Sequence, residues 1–217
     1  SRPDEALLEL LRRLAMRPGT EVHLVSGSSR DLVQERFDPS PVHLHAEYGF
    51  WSRASGSTEW THGEMPSLEW RDLVYGTLEN FRARTPGSLI EDKTVSLAWH
   101  YRMADPEFGS FQANELRTHL AQVLSNEPVE IVADDRVIAL RPFGVNKTMI
   151  VEGTLRDLAP DTLVVAMGND RTDEELFAAL PEDAITIHVG SAPSRAQCRV
   201  PDYASARKLL ESILTET

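Results

Sequence analysis

Apolar positions along the chain follow two periodicities, one typical of amphipathic helices and one typical of buried strands. In residues 4–16 leucines recur at helical spacing, and Pro18-Gly19 ends the pattern. A short apolar strand follows, and later segments repeat this order. The predicted helices are 4–16, 68–84, 110–124, 147–157, 172–180 and 203–215, with a further helix after Ser26-Gly27. The predicted strands are 22–25, 42–51 (with a turn), 88–91, 94–102, 129–133, 137–140, 162–167 and 185–189.

The order of these elements changes in the middle third of the chain. Towards both ends, helices alternate with apolar strands, which is typical of a parallel sheet. The middle third instead has the order α-β-β-α-β-β, with paired strands. We therefore predict an α/β protein in which residues 1–64 and 142–217 form one Rossmann-like core. Residues 65–141 form an inserted α+β domain.

Charge and composition exclude several classes of function. The net charge is −12 at pH 7, which disfavours nucleic acid and anionic membrane surfaces as partners. No apolar run approaches the roughly 20 residues of a membrane span, and residues 1–17 do not have the pattern of a secretory signal. The single cysteine, Cys198, excludes an internal disulfide, so we expect a cytoplasmic protein.

A Ser-Gly turn after a strand and a lysine at the start of a helix suggest phosphate binding. Ser26 and Gly27 end a buried strand and precede a helix, so a hydroxyl and backbone N–H groups face one point. A Ser-Gly turn that only caps the helix is the alternative. Lys147 opens a predicted helix, where the helix dipole disfavours a cation unless an anion lies nearby.

A third motif suggests a cation site. Asn169, Asp170 and Asp173 follow the apolar strand 162–167, and ligands of open parallel sheets bind beyond the carboxyl ends of strands. Oxygen donors clustered there suit Mg²⁺. The alternative is that these residues only cap the next helix.

Together, the order of these motifs resembles motifs two, three and four of the haloacid dehalogenase superfamily, with an insertion that resembles its larger cap type. The likeness becomes specific in five segments, which resemble successive signatures of the trehalose-6-phosphate phosphatases. They lie within residues 22–177 and read HAEYGFW, EDKTVSLAWHYR, ADPEFG, LRPFGVNK and GNDRTDEELF.

The resemblance implies a phosphomonoester hydrolase that acts on trehalose 6-phosphate in two covalent steps. An Asp nucleophile attacks phosphorus, a second Asp protonates the sugar oxygen, and Mg²⁺ bridges the nucleophile and the phosphoryl group. It also assigns roles: phosphate binding to Ser26, Gly27 and Lys147, metal binding to Asn169, Asp170 and Asp173, and sugar binding to Glu91, Lys93, Arg102 and Arg141. A cross-strand ion pair is the alternative role for Glu91 and Lys93.

The chain departs from the family pattern at three points. The Asp-x-Asp strand that carries the nucleophile does not occur in it. Asn169 stands where the family has a metal-binding Asp. Near the phosphate and sugar motifs, Ser28 replaces an Arg, and the run at 139–142 lacks a Glu.

These departures lead us to expect a non-catalytic phosphatase-like module, structural or regulatory, in a trehalose-synthesis protein. A trehalose-6-phosphate synthase domain is its expected partner. The alternative is an active phosphatase whose first strand lies upstream of Ser1. A related phosphatase acting on another sugar phosphate is a third interpretation.

Overall fold

The computed structural model describes residues 2–154, 158–159 and 161–215. The chain divides into two compact units, Ser1–Gly63 with Asn146–Thr217 and Glu64–Val145, which we call the first and second units. The sequence placed these divisions near residues 64 and 142. The roles of the two units as phosphatase core and cap remain predictions.

The first unit contains helices, strands and one 3-10 turn (Glu47–Gly49). Its helices are α1 (Glu5–Ala15), α2 (Arg30–Phe37), α5 (Met149–Thr154), α6 (Arg171–Ala179) and α7 (Tyr203–Thr215). Its strands are β1 (His23–Val25), β2 (His43–Ala46), β3 (Trp51–Arg53), β4 (Thr61–His62), β9 (Val165–Gly168), β10 (Ile185–Val189) and β11 (Cys198–Val200). The strands predicted from the sequence include neither β4 nor β11. The predicted helix 147–157 extends into residues 155–157, which lie outside the described residues.

The strands of the first unit form two sheets rather than one. The first sheet has the order β1-β2-β3-β4. Strands β1 and β2 pair in parallel, β3 pairs antiparallel with β2, and β4 pairs antiparallel with β3. In the second sheet β9, β10 and β11 are all parallel. Among the described residues, β1 and β9 are therefore edge strands, each with one side that pairs with no strand.

Helix α1 shows how the local sequence produces an element of this unit. The carboxylate of Asp4 accepts a hydrogen bond from the backbone N–H of Leu7, at 2.8 Å, and so caps the helix. The stripe predicted from the sequence is buried at Leu11 and Leu14. The guanidinium of Arg207 on α7 also forms an ion pair with Asp4, so this pair links the start of α1 to α7.

The second unit is an antiparallel sheet with two helices. Its strands are β5 (Leu89–Asp92), β6 (Leu97–His100), β7 (Val129–Asp134) and β8 (Val137–Pro142), in the order β5-β6-β8-β7. Its helices are α3 (Trp70–Arg84) and α4 (Pro106–Val123). Helix α4 begins four residues before the predicted start, because Asp105 caps it and Pro106 occupies its first turn.

Strand alternation gives this sheet an apolar face and a mixed face. Trp99 and Leu97 lie on the apolar face and belong to the core formed with α3 and α4. Ala98 points to the opposite face, as do its register partners Glu91 and Ala139.

Among the described residues, none of the helices combines the length and the apolar character that a membrane span requires.

Candidate functional site

The loop after β1 holds the predicted phosphate-binding residues Ser26 and Gly27. The Ser26 N–H donates to the carbonyl of His45 (2.9 Å), and the Ser26 hydroxyl accepts the N–H of Ser28 (3.1 Å). A Cβ atom at Gly27 would lie 2.7 Å from the Cε1 atom of Tyr48, so only glycine fits against that ring. The loop is therefore held at the carboxyl end of β1 by its own backbone and by Tyr48.

The 3-10 turn beside this loop has an uncommon backbone conformation. Glu47 and Tyr48 have positive φ angles, 48° and 64°, and both side chains are buried. Such conformations cost roughly 1–3 kcal/mol each and persist where the surroundings enforce them, often at functional sites. The sequence predicted a strand with a turn at 42–51 and placed this segment in a family signature, but nothing in residue type marks a Glu-Tyr pair for this conformation rather than for a strand.

The same turn connects the Ser26 loop to the segment that carries Lys147. The Tyr48 N–H donates to the carbonyl of Ser26 at 2.9 Å. The next residue, Gly49, packs on α5, where an added Cβ would lie 3.0 Å from the side chain of Ile150. Lys147 lies two residues before α5 starts, so the turn contacts elements on both sides of the predicted phosphate site.

Lys147 is buried and forms an ion pair with Asp173. The Lys147 Nζ donates to the Asp173 Oδ1 at 2.6 Å, and their side chains are 5% and 11% exposed. The Asp173 Oδ2 accepts two backbone N–H groups, those of Asn169 and Asp170, each at 2.8 Å. This carboxylate therefore fixes the turn after β9, caps α6 and holds the lysine at the carboxyl end of that strand.

Gly168 makes room for this carboxylate. A Cβ atom at position 168 would lie 2.2 Å from the Asp173 Cγ and 2.3 Å from its Oδ2. Any other residue would force Asp173 away from its three donors. The glycine that ends β9 is thus required by packing, which the sequence pattern alone did not indicate.

The predicted cation ligands have unequal freedom to bind Mg²⁺. Both oxygens of Asp173 accept hydrogen bonds from protein donors. Asn169 donates its side-chain amide to Asp170 at 3.0 Å, which directs its amide oxygen elsewhere. Both residues carry the oxygen donors that Mg²⁺ prefers, but the Asn169 oxygen would reach an ion at the Asp170 carboxylate only if the Asn169 amide turned and gave up this hydrogen bond.

In the second unit, Glu91 lies at the centre of a small charged cluster. Its Oε2 accepts a hydrogen bond from His100 Nε2 at 2.8 Å and lies 3.4 Å from Lys93 Nζ. Burial would raise the pKa of Glu91, but the His100 hydrogen bond and the Lys93 charge outweigh it, so the pKa lies below its usual value. The sequence did not single out His100, although it stands in the same family signature as Glu91 and Lys93.

The two predicted sugar-binding arginines have other partners. Arg141 is fully buried, and its Nε donates to Glu130 on the neighbouring strand β7 at 2.8 Å. Arg102 is exposed and pairs with Asp135 in the β7–β8 turn at 2.9 Å. Glu91 and Lys93 are thus brought together, whereas each arginine is held by a carboxylate of its own.

Parallel strands that alternate with helices, with the buried Lys147–Asp173 pair at the end of β9, make the first unit an α/β fold. Comparison with known proteins makes the class specific. The sequence profile of the family described as Trehalose-phosphatase matches residues 1–209. The chain therefore belongs to the trehalose-phosphatase family, and the family and fold predicted from the sequence are confirmed.

Three known proteins are similar to this chain in sequence or in structure. A bifunctional trehalose-6-phosphate synthase/phosphatase of Thermoproteus tenax is 39% identical over 97% of this chain, which spans only 29% of that relative. The C-terminal domain of a C. albicans trehalose-6-phosphate phosphatase has a TM-score of 0.90 at 26% identity, with coverage of 100% and 86%. The C-terminal domain of the Candida albicans trehalose synthase regulatory protein has a TM-score of 0.74, with coverage of 97% and 86%. Its 17% identity shows the fold alone.

Proposed function

We propose that residues 1–217 bind trehalose 6-phosphate but do not hydrolyse it by themselves. The observation that carries this proposal is the buried Lys147–Asp173 pair at 2.6 Å, which holds a cation at the carboxyl end of β9. The sequence places no Asp-x-Asp nucleophile with it. A site that has the lysine ammonium group but lacks the attacking carboxylate can hold a phosphate ester. It has no group that could carry out the covalent step.

The phosphoryl group would be bound by residues of the first unit. In this proposal the Ser26 hydroxyl and the Gly27 N–H donate to phosphoryl oxygens, and Lys147 neutralises part of their charge. Asp173 restrains Lys147, so the phosphate competes with a carboxylate for the same cation. Mg²⁺ bound at Asn169 and Asp170 would neutralise further phosphoryl charge.

The second unit, taken by itself, carries the polar residues that the family resemblance assigns to sugar hydroxyls. We assign Glu91 and Lys93 to sugar hydroxyls because the cluster presents acceptors and donors side by side. Arg102 and Arg141 are weaker candidates, since their guanidinium groups pair with Asp135 and Glu130. The name of the Thermoproteus tenax relative supports a synthase domain as the partner of this module. We propose the cytoplasm as its compartment.

The sheet edges favour a second candidate, an active phosphatase. Among the described residues, β1 and β9 each have a side that pairs with no strand. Unpaired edges are a liability that proteins usually cover. A strand from outside residues 1–217 that pairs with these edges and carries an Asp-x-Asp motif would complete the site.

Calorimetry and a phosphate-release assay with trehalose 6-phosphate test the proposal on the 217-residue chain with Mg²⁺ present. We expect binding without turnover, because removing catalytic residues that act as a unit costs on the order of 10⁴–10⁶ in rate. Lys147→Ala should weaken binding about tenfold or more, a loss of roughly 1.4 kcal/mol or more. Ser26→Ala tests the phosphate contact without breaking the buried ion pair.

Lys208→Ala is the matched control, because this lysine is exposed on α7. It should bind as the unaltered chain does. Turnover that Lys147→Ala abolishes would show that the site is catalytic as it stands. Absence of binding in the unaltered chain would refute the proposal.

A further inference from the structure

Three potential metal ligands meet at the end of the first sheet opposite Ser26. Glu21, His23 and His43 each offer one ligand atom, and these atoms lie within 4.8 Å of one another. His23 and His43 begin the parallel strands β1 and β2 and are partners in register. Ser26 lies three residues further along, about 10 Å at the usual rise of a strand. The cluster is therefore separate from the proposed phosphate site.

The ligand spacing fits a small tetrahedral cation. The Glu21 Oε2 lies 3.4 Å from the His23 Nε2. Two ligands of a tetrahedral zinc ion with bonds of about 2.0–2.2 Å are also about 3.4 Å apart. The ring of His43 stacks on that of His23 with centroids 4.3 Å apart. With His23 held in place, a rotation of the His43 ring would turn one of its nitrogens toward an ion between Glu21 and His23, and the exposed Glu21 side chain can follow.

Hydrogen bonds on the other side of its ring, through His45 to Ser52, orient His23. The His23 Nδ1 lies 3.0 Å from His45 Nε2, and the His45 Nδ1 lies 2.9 Å from the Ser52 hydroxyl. His45, which links the two groups, is buried.

Two proton arrangements complete this row of hydrogen bonds. In the first, the Ser52 hydroxyl donates to His45 Nδ1, and the His45 Nε2–H donates to His23 Nδ1. The His23 Nε2–H then donates to the Glu21 carboxylate. In the second, the His23 Nδ1–H donates to His45 Nε2, and the His45 Nδ1–H donates to the Ser52 hydroxyl. The lone pair of His23 Nε2 then faces the Glu21 carboxylate. Two acceptors 3.4 Å apart repel unless a cation lies between them. The second arrangement is the one that metal-bound histidines commonly show.

We propose that Glu21, His23 and His43 bind a Zn²⁺ ion. Two imidazoles with one carboxylate favour zinc over Mg²⁺ and Ca²⁺, which prefer oxygen ligands only. Three protein ligands leave a fourth position that water fills. His45 and Ser52 act as positioning residues, because they fix the orientation of the His23 ring.

Titration of the chelator-treated and desalted chain with ZnCl₂ tests the site. Calorimetry should show binding that Glu21→Gln and His23→Gln weaken roughly 100-fold, and Ser52→Ala about tenfold. Glu21 is exposed, so Glu21→Gln tests the ligand without disturbing the sheet. Co²⁺ in place of Zn²⁺ should give the intense visible absorption of a tetrahedral site, and His43→Gln should remove it.

Two control variants assign the binding to this cluster. His119→Gln changes an exposed histidine of α4 and should leave Zn²⁺ affinity unaltered. Asp170→Asn alters the turn after β9, and zinc binding should survive it. The proposal is overturned if the chain binds no zinc, if Glu21→Gln and His23→Gln bind as tightly as the unaltered chain, or if only Asp170→Asn abolishes binding.

Discussion

Replacing Gly168 by alanine should displace the Asp173 side chain from its three donors. The added Cβ would lie 2.2 Å from the Asp173 Cγ and 2.5 Å from its Cβ. These atoms belong to the first turn of α6, which cannot retreat without breaking its hydrogen bonds to Asn169 and Asp170. The carboxylate must therefore swing away and leave Lys147 buried without its 2.6 Å partner.

The size of the effect follows from the bonds that are lost. Removing one partner of a buried ion pair typically costs about 3–5 kcal/mol. We expect Gly168→Ala to lower the free energy of unfolding by about 3 kcal/mol, since overpacking and loss of the pair act together. Asp173→Gly should cost about 4 kcal/mol, because it removes the same pair and adds a helical glycine.

A double-mutant cycle tests whether the two changes act on one contact. With glycine at 173 the three atoms nearest to the added Cβ are removed, so the double variant should be about as stable as Asp173→Gly alone. The coupling energy is then about 3 kcal/mol. Combining Gly168→Ala with Asp173→Ala should give no such rescue, because the 2.5 Å contact with the Cβ remains.

Urea unfolding followed by far-UV circular dichroism gives these free energies. Hydrogen exchange of amides in β9 and α6 localises the change to the first unit. Costs that simply add in the Gly168→Ala, Asp173→Gly double variant would refute the steric argument, as would equal rescue by glycine and alanine at 173.

Two further predictions concern the Ser26 loop and the charged cluster of the second unit. Gly27→Ala places a Cβ 2.7 Å from the Tyr48 ring and should cost about 1–3 kcal/mol in thermal or urea unfolding. Gly76→Ala on α3, where nothing lies within 4 Å, should be neutral or stabilising, and an equal loss at both positions would contradict the reasoning. Because the pKa of Glu91 is lower in the folded chain, the stability it contributes is present above the unfolded value of 4.5 and is lost as pH falls below it. Glu91→Gln should therefore flatten the acid limb of a stability-against-pH curve relative to Glu107→Gln, and identical curves would contradict this.

The elements predicted best are those whose signals are local. Helices α3 and α7 were predicted at 68–84 and 203–215 and are observed at Trp70–Arg84 and Tyr203–Thr215. Apolar spacing and stop residues suffice because each helical hydrogen bond joins residues four apart. Strands β4 and β11 were missed, since both are short and mostly exposed, and a strand forms only where a neighbour pairs with it.

Sequence order alone established the family and the residue types of its motifs, because these are read as short segments in a fixed succession. Tertiary structure decided which of these residues meet. It paired Lys147 with Asp173, 26 positions away, and set Glu21 and His23 beside His43 at the start of the next strand. Spacing along the chain encodes periodicity and turns, whereas contacts between distant side chains depend on the path of the backbone and on the space that residues such as Gly168 leave.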